Sequence, residues 1–370
     1  MHQAYVRIGF VVNPYAGMGG PLGLKGTDGR AREEAMGRGA IPTAPERAIA
    51  ALRAAMPLAG VDILTASGPM GEDELSELGL DHRIAYVTEG MTDGDDTTNA
   101  CRRFLAEKVD LIVFCGGDGT AIDVMDAVGS AVPVIGIPSG VKMHSGVFAT
   151  TPRTAGELLR RFLDGSIGTK EGEVMDIDEV AFRSDRLQAT LKGYMLVPDE
   201  AQLMQPPKGT VALSGDDEEK EALGEYFQLL LEWGTLYILG PGTTVKALAQ
   251  ALGEEKTILG VDALLDRKVI AKDLDEAGLM RLVEANERVK IVVTPIGAQG
   301  FVFGRGNQQI SPKVIRRVGL ENIIVVATPS KLSGIRALRV DTGDPELDGE
   351  LGGYRRVIVG YGKEKVMPVR

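Results

Sequence analysis

The sequence predicts an α/β N-terminal domain with a mainly parallel sheet, joined to a β-rich mixed α/β C-terminal domain. Three observations carry this. Short continuous apolar runs alternate with helix-like segments through the first half, the pattern of a parallel sheet covered on both faces. A turn-rich stretch at residues 164–172 (DGSIGTKEG) separates that half from one in which period-2 segments appear. Finally, 48 of the 370 residues are glycine, against an average share of about 7%, and many gather in loops directly after apolar runs.

Taken in order, residues 6–12 (VRIGFVV) read as a strand and 45–56 as a helix. Residues 61–64 read as a weak strand, 72–78 as a helix, 84–88 as a strand and 95–108 as a helix. The run 111–115 (LIVFC) reads as a buried strand, followed by a loop at 116–120 and a helix at 121–128. Another strand is expected at 132–137 and another helix at 155–163. The domain boundary is placed after residue 165, giving domains 1–165 and 166–370. Beyond it, 173–182, 188–197 and 208–213 have strand periodicity, and the acidic 216–223 suggests an exposed turn or a helix start. A strand at 235–239, a helix at 243–252, strands at 290–294 and 322–328 with a helix at 312–318 between them, and paired strands over 354–367 complete the reading. The last strands could pack back on the N-terminal domain.

Composition excludes several function classes. Lys and Arg number 41 and Asp and Glu 52, a formal net charge of −11, whereas a generic nucleic-acid binder needs a basic surface. No apolar run approaches ~18 residues, so no transmembrane helix is expected. The first residues lack a basic segment followed by an apolar one, so no signal peptide is expected, and free thiols suit the cytoplasm. Two cysteines, Cys101 and Cys115, make neither a disulfide framework nor a Cys-rich zinc site, and the three histidines (His2, His82, His144) have no metal-ligand spacing.

The chemistry points to the glycine loops. Gly116-Gly117-Asp118-Gly119-Thr120 lies between a strand and a helix. Glycines let the backbone approach phosphate oxygens, and a helix N-terminus offers unpaired N–H groups. Asp118 is out of place in a loop that only binds anions. It fits a general base or a magnesium ligand, direct or through water; the bland alternative is a helix cap. Asn13-Pro14-Tyr15-Ala16-Gly17-Met18-Gly19-Gly20 follows the first strand and runs on through Lys25, Asp28 and Arg30, with Lys25 and Arg30 as phosphate partners and Asp28 for a hydroxyl or metal; the bland alternative is a flexible surface loop with solvated charges, Arg30 above all. Ser139-Gly140-Val141-Lys142-Met143-His144-Ser145 follows a strand at the expected carboxyl edge of the sheet, where open α/β sheets bind ligands. Lys142, His144 and Ser145 are candidate contacts there. Gly240-Pro241-Gly242-Thr243-Thr244 again joins strand to helix, as a ligand loop or a cap, and Gly304-Arg305-Gly306-Asn307-Gln308-Gln309 suits a phosphate or a base edge, or else a polar contact. Asp93-Gly94-Asp95-Asp96 before a helix reads as capping.

The GGDGT run after an apolar strand, with Asn13-Pro14 and Gly17 after the first strand, resembles the superfamily of NAD kinases, diacylglycerol and sphingosine kinases and phosphofructokinases. The longer strings NPYAGMGGPLGLKGTDG, IPSGVKMHSGVFATTP, GPGTT and VTPIGAQGFVFGRGNQQISP are similar to the ATP-NAD kinase family and its AcoX-type relatives, over nearly the whole chain. The resemblance implies an NAD kinase-like fold with the active site in an interdomain cleft, and a homo-oligomer acting on small nucleotides, with no nucleic-acid or membrane partner.

The reaction it implies is phosphoryl transfer from magnesium-bound ATP, or polyphosphate, to the 2′-hydroxyl of NAD. Asp118 is the expected catalytic group. Asn13, Gly17, Gly19, Gly20, Lys25, Gly116, Gly117, Gly119, Thr120, Ser139, Gly140, Lys142, Ser145, Gly242, Thr243, Thr244, Arg305 and Asn307 are the expected nucleotide contacts. The chain departs from the family pattern at one point. Between residues 140 and 200 it has no Asn, where NAD kinases carry an Asn and an acidic residue that hold the acceptor. Lys142, Ser145 or residues 305–309 would take over that task, or the acceptor would be another compound, such as a small ketone or hydroxyketone. A nucleotide sensor without turnover is the third alternative.

Overall fold

The computed structural model describes residues 6–20, 22, 35–37, 39–140, 143–177, 189–200, 203–204, 216–297 and 299–370. The expectations on Lys25, Asp28, Arg30, Lys142 and the strand at 208–213 fall outside these residues. The chain divides into two compact units, one of Met1–Gly19 and Gly26–Lys208, the other of Gly20–Lys25 and Gly209–Arg370.

The first unit is built on a parallel five-stranded sheet in the order β3-β2-β1-β4-β5, formed by β1 (Val6–Val12), β2 (Val61–Ala66), β3 (Arg83–Tyr86), β4 (Leu111–Gly116) and β5 (Val134–Pro138). The central strands are apolar on both faces because both are covered; all six residues of β4 are buried. Helices α1 (Ala44–Ala55) and α5 (Pro152–Leu163) pack on each other, as do α3 (Gly94–Ala106) and α4 (Asp118–Val128), with the short α2 (Glu72–Glu77) following β2. Two contacts show that these pairs cover opposite faces. A Cβ on Gly9 would meet the Phe104 ring of α3, while the Cys115 thiol, in register with Val12, lies 3.4 Å from the Ala44 carbonyl of α1. Positions 9 and 12 point to opposite sides of a strand.

The α3 start is a capping box. The Asp93 carboxylate accepts from the N–H groups of Asp95 and Asp96, and Asp96 accepts from the N–H of Asp93 at 3.0 Å. The acidic cluster is therefore spent on the helix end, as its composition suggests.

Two features bear on the organisation of the units. The antiparallel hairpin of β6 (Thr169–Ile177) and β7 (Ala189–Pro198) falls beyond residue 165, yet the first unit keeps it and runs on to Lys208. The cause is packing: Val174, Met195 and Val197 are fully buried in the same apolar cluster as β1, β4 and β5. The last strands, β15 (Gly353–Gly360) and β16 (Lys363–Val369), belong to the sheet of the second unit. β15 pairs in parallel with β13 (Ile323–Val326), and Val357 is fully buried in the core of the second unit.

That unit holds a mixed seven-stranded sheet in the order β10-β9-β8-β11-β13-β15-β16, with β8 (Leu236–Leu239), β9 (Asp262–Leu265), β10 (Lys268–Ala271) and β11 (Val289–Val293). Strands β8, β11, β13 and β15 run parallel. One face carries α6 (Asp216–Leu230) and α7 (Thr243–Gln250) through Leu223, Phe227, Val245 and Leu248; the other carries α8 (Glu276–Glu284) and α9 (Pro312–Val318) through Leu279, Val314 and Ile315. The acidic stretch at 216–223 is thus the first half of a 15-residue helix. Among the described residues no helix is long and apolar enough to cross a membrane.

Candidate functional site

In the order β3-β2-β1-β4-β5, the chain moves away from β1 to one side through β2 and β3, then crosses to the other side for β4 and β5. β1 leads to α1 on one face and β4 to α4 on the other. Open α/β sheets bind ligands at such a reversal, outside the carboxyl ends of the strands. The loops that follow β1 and β4 are the Asn13–Gly20 and Gly116–Thr120 segments singled out by their glycines.

The two loops are tied together. The Asn13 backbone N–H donates to the Cys115 carbonyl at 2.9 Å, and its side-chain Nδ2 donates to Thr120 Oγ1 at 2.9 Å. Its Oδ1 accepts from the Tyr15 N–H at 3.1 Å, which sets the turn. Gly17 has φ +85°, and a Cβ there would collide with the Thr43 hydroxyl and lie 2.6 Å from the Ser139 carbonyl, so only glycine fits. Gly20 groups with the second unit, where a Cβ would lie 3.0 Å from Gln308.

The third loop, after β5, closes against the second. Ser139 and Gly140 donate their N–H groups to the Gly116 carbonyl at 3.0 and 3.3 Å. A Cβ on Gly140 would lie 2.9 Å from the Gly117 Cα, a backbone-to-backbone approach that a side chain prevents. Arg47 of α1 donates Nε to the Pro138 carbonyl at 2.5 Å, a contact no sequence motif announced.

Asp118 is the first residue of α4, and Gly117 is its N-cap with no side-chain cap bond. The Asp118 carboxylate reaches the third loop: Oδ2 accepts from the His144 N–H at 2.7 Å and Oδ1 from the Ser145 N–H at 3.0 Å. These two donors, one on each oxygen, fix the plane of the carboxylate. The group is half-buried beside Gly117 and the exposed Gly119, where the first N–H groups of α4 have no helical partner. A phosphate oxygen suits those donors, and a hydroxyl suits the carboxylate.

Other candidates make contacts within the fold. Ser145 is fully buried, and its hydroxyl bridges the backbone of Met175, accepting from its N–H at 3.0 Å and donating to its carbonyl at 3.4 Å. The His144 side chain is buried. Burial pushes the Cys101 and Cys115 thiols up to about 12, far from thiolate chemistry. Among the described residues no three His, Cys, Asp or Glu side chains converge on a metal position. Magnesium needs no such cage, since one or two carboxylates with substrate phosphates suffice, and Asp118 is a carboxylate of that kind.

In the second unit, Asn307 is fully buried and holds its own loop, accepting from the Gly304 N–H at 3.1 Å and donating to the Val302 carbonyl at 2.8 Å. Arg305 pairs with Asp341 at 3.3 Å and lies 4.8 Å from the Phe301 ring centre. The Gly240–Thr244 loop meets Thr294 and Lys331, which are not among the expected nucleotide contacts. Gly242, at φ +117°, would place a Cβ 2.8 Å from the Thr294 methyl group, and Lys331 Nζ donates to Thr294 Oγ1 at 3.2 Å and to Thr244 Oγ1 at 3.5 Å. Thr294 and Lys331 also follow apolar strands, but without a glycine run to mark them.

A model of the ATP-NAD kinase N-terminal domain matches residues 8–167, and one of the ATP-NAD kinase C-terminal domain matches residues 234–369. No curated protein matches the chain. Among solved structures, a diacylglycerol kinase from Bacillus anthracis str. Sterne is similar at 17% identity, over 50% of this chain and 54% of that one, with a TM-score of 0.24. A proposed diacylglycerol kinase from the same organism is similar at 20% identity, over 47% of this chain and 46% of that one, also with a TM-score of 0.24. The chain thus spans about half the length of each of these structures.

Proposed function

The chain belongs to the ATP-NAD kinase family, and from that premise we propose that it transfers the terminal phosphoryl group of ATP, or of polyphosphate, to the 2′-hydroxyl of NAD, forming NADP. The observation that carries this reading is the Asp118 carboxylate, held by the two N–H groups of residues 144 and 145 at the start of α4.

In the proposed step, the 2′-oxygen forms a bond to the donor's terminal phosphorus as the phosphoanhydride bond breaks, and the shortened donor leaves. Asp118 accepts the hydroxyl proton at a carboxylate oxygen. The N–H groups at the α4 N-terminus receive phosphate oxygens, so the barrier falls by positioning and charge stabilisation. Asn13 and Thr120 hold the two loops in register for that task. Magnesium would be held by Asp118 and the donor phosphates, and would neutralise phosphate charge. Lys25 and Lys142 are proposed as further cationic contacts.

A second reading keeps the same kinase chemistry with another hydroxyl or ketone acceptor. It is favoured by the lack of an Asn between residues 140 and 200, and by the Ser145 hydroxyl being spent on Met175. The test is a coupled assay for NADP with NAD, magnesium and either donor. NADP formation supports the first reading. Donor consumption with other acceptors, and none with NAD, supports the second.

A further inference from the structure

The second unit repeats the geometric condition that marks the first. β8 and β11 are neighbours and run parallel. The chain leaves β8 for α7 on one face, and after β11 it continues to α9 on the other. Open α/β sheets bind ligands at the carboxyl ends of strands where connections diverge in this way. The residues there are Thr244 in the first turn of α7, Thr294 directly after β11, and Lys331 after β13.

Their arrangement has a chemical direction. Thr244 and Thr294 are each 1% exposed. Both hydroxyl oxygens accept from the Lys331 ammonium, so each keeps its own proton to donate. Lys331 is placed by its backbone as well, since its N–H donates to the buried Thr328 hydroxyl at 3.2 Å. Gly242 lets the Thr294 methyl group come within a distance that any side chain at 242 would block. The positive charge of Lys331 and the two hydroxyl donors, at the carboxyl edge of parallel strands, match the charge and the oxygens of a tetrahedral oxyanion.

We propose that Lys331, Thr244 and Thr294 form a phosphate seat belonging to the second unit, for the phosphate group of a nucleotide or of a polyphosphate chain. It requires no turnover and holds whichever acceptor the kinase reading assigns.

The test is calorimetric titration of the full chain with inorganic pyrophosphate and, separately, with ADP. The variants are Lys331→Met, Thr294→Val and, in the other unit, Asp118→Asn. The expected result is a pyrophosphate-binding event weakened about ten- to a hundredfold by Lys331→Met, weakened also by Thr294→Val, and retained in Asp118→Asn. ADP binding with the same Lys331 dependence identifies a nucleotide phosphate as the ligand; dependence with pyrophosphate alone identifies polyphosphate. Thr294→Val is nearly isosteric and keeps the lysine, so it decides the matter if Lys331→Met does not fold. Wild-type affinity in folded Thr294→Val and Lys331→Met, or no pyrophosphate binding by the wild type, overturns the proposal. Loss of NADP formation with this binding intact would count against the kinase reading alone.

Discussion

Asp118 and Ser145, 27 residues apart in the chain, are joined by a hydrogen bond of 3.0 Å from the Ser145 backbone N–H to Asp118 Oδ1. The same serine anchors Met175 of β6 through its hydroxyl. The carboxylate is therefore aimed by a loop whose own position depends on the hairpin. Ser145→Ala keeps the N–H and removes the anchor. We expect a loss of about 1–2 kcal/mol in stability and a fall in kcat with little change in KM, measured by thermal melting and steady-state kinetics.

Gly140 and Gly117 meet backbone to backbone. Gly140→Ala places a Cβ 2.9 Å from the Gly117 Cα, and neither main chain can yield without moving a loop. The expected cost is about 1–3 kcal/mol, with reduced donor affinity. Gly39→Ala is unsuitable as a control because its φ of +75° is itself strained. Gly37→Ala, with nothing near its Cβ, should leave donor affinity unchanged in the same titration.

Asn13 and Thr120 bridge the loops after β1 and β4. Asn13→Ala and Thr120→Val should each destabilise, and the double variant should cost less than their sum, with a coupling of about 1 kcal/mol. Chemical denaturation of the four proteins measures it. Strict additivity would show that the bridge contributes nothing.

Glu74, in α2, is 3% exposed, and its Oε2 has no hydrogen-bond partner among the described residues. Burial first, and then the neighbouring charges of Asp73 and Glu77, push its carboxyl up to about 7. Because the folded value lies above the ordinary 4.5, the neutral form favours folding. That contribution is complete below pH 4.5 and is lost as pH rises through 7, a difference of about 3 kcal/mol. Glu74→Gln should flatten this part of the stability profile and be more stable than the wild type at pH 8.5. Parallel wild-type and variant profiles between pH 5 and 8.5 would contradict it.

Much of the first unit was legible because its strands are unbroken apolar runs. Leu111–Cys115 could be recognised from composition alone, and the glycines from Gly116 on marked the loop. The hairpin at 169–198 was legible as two strands but not as part of the first unit, because nothing local to Val174, Met195 and Val197 says which core receives them. Helix α6 was half legible: its acidic start hid the apolar positions Leu223 and Phe227. Lys331 was not legible at all. It meets Thr244 and Thr294 only because three parallel strands end side by side, and no spacing along the chain encodes that. Asn307 shows the reverse, a motif residue whose buried amide holds its own loop.

Asp118 is proposed to take the proton from the acceptor hydroxyl in a kinase that makes NADP. The most direct measurement is the initial rate of NADP formation by the wild type and by Asp118→Asn, with magnesium, NAD and each donor, on proteins matched by circular dichroism. NADP is expected from the wild type, with a fall of about 10²- to 10⁴-fold in kcat in the variant and the fold retained. NADP formed by Asp118→Asn at close to the wild-type rate would contradict it.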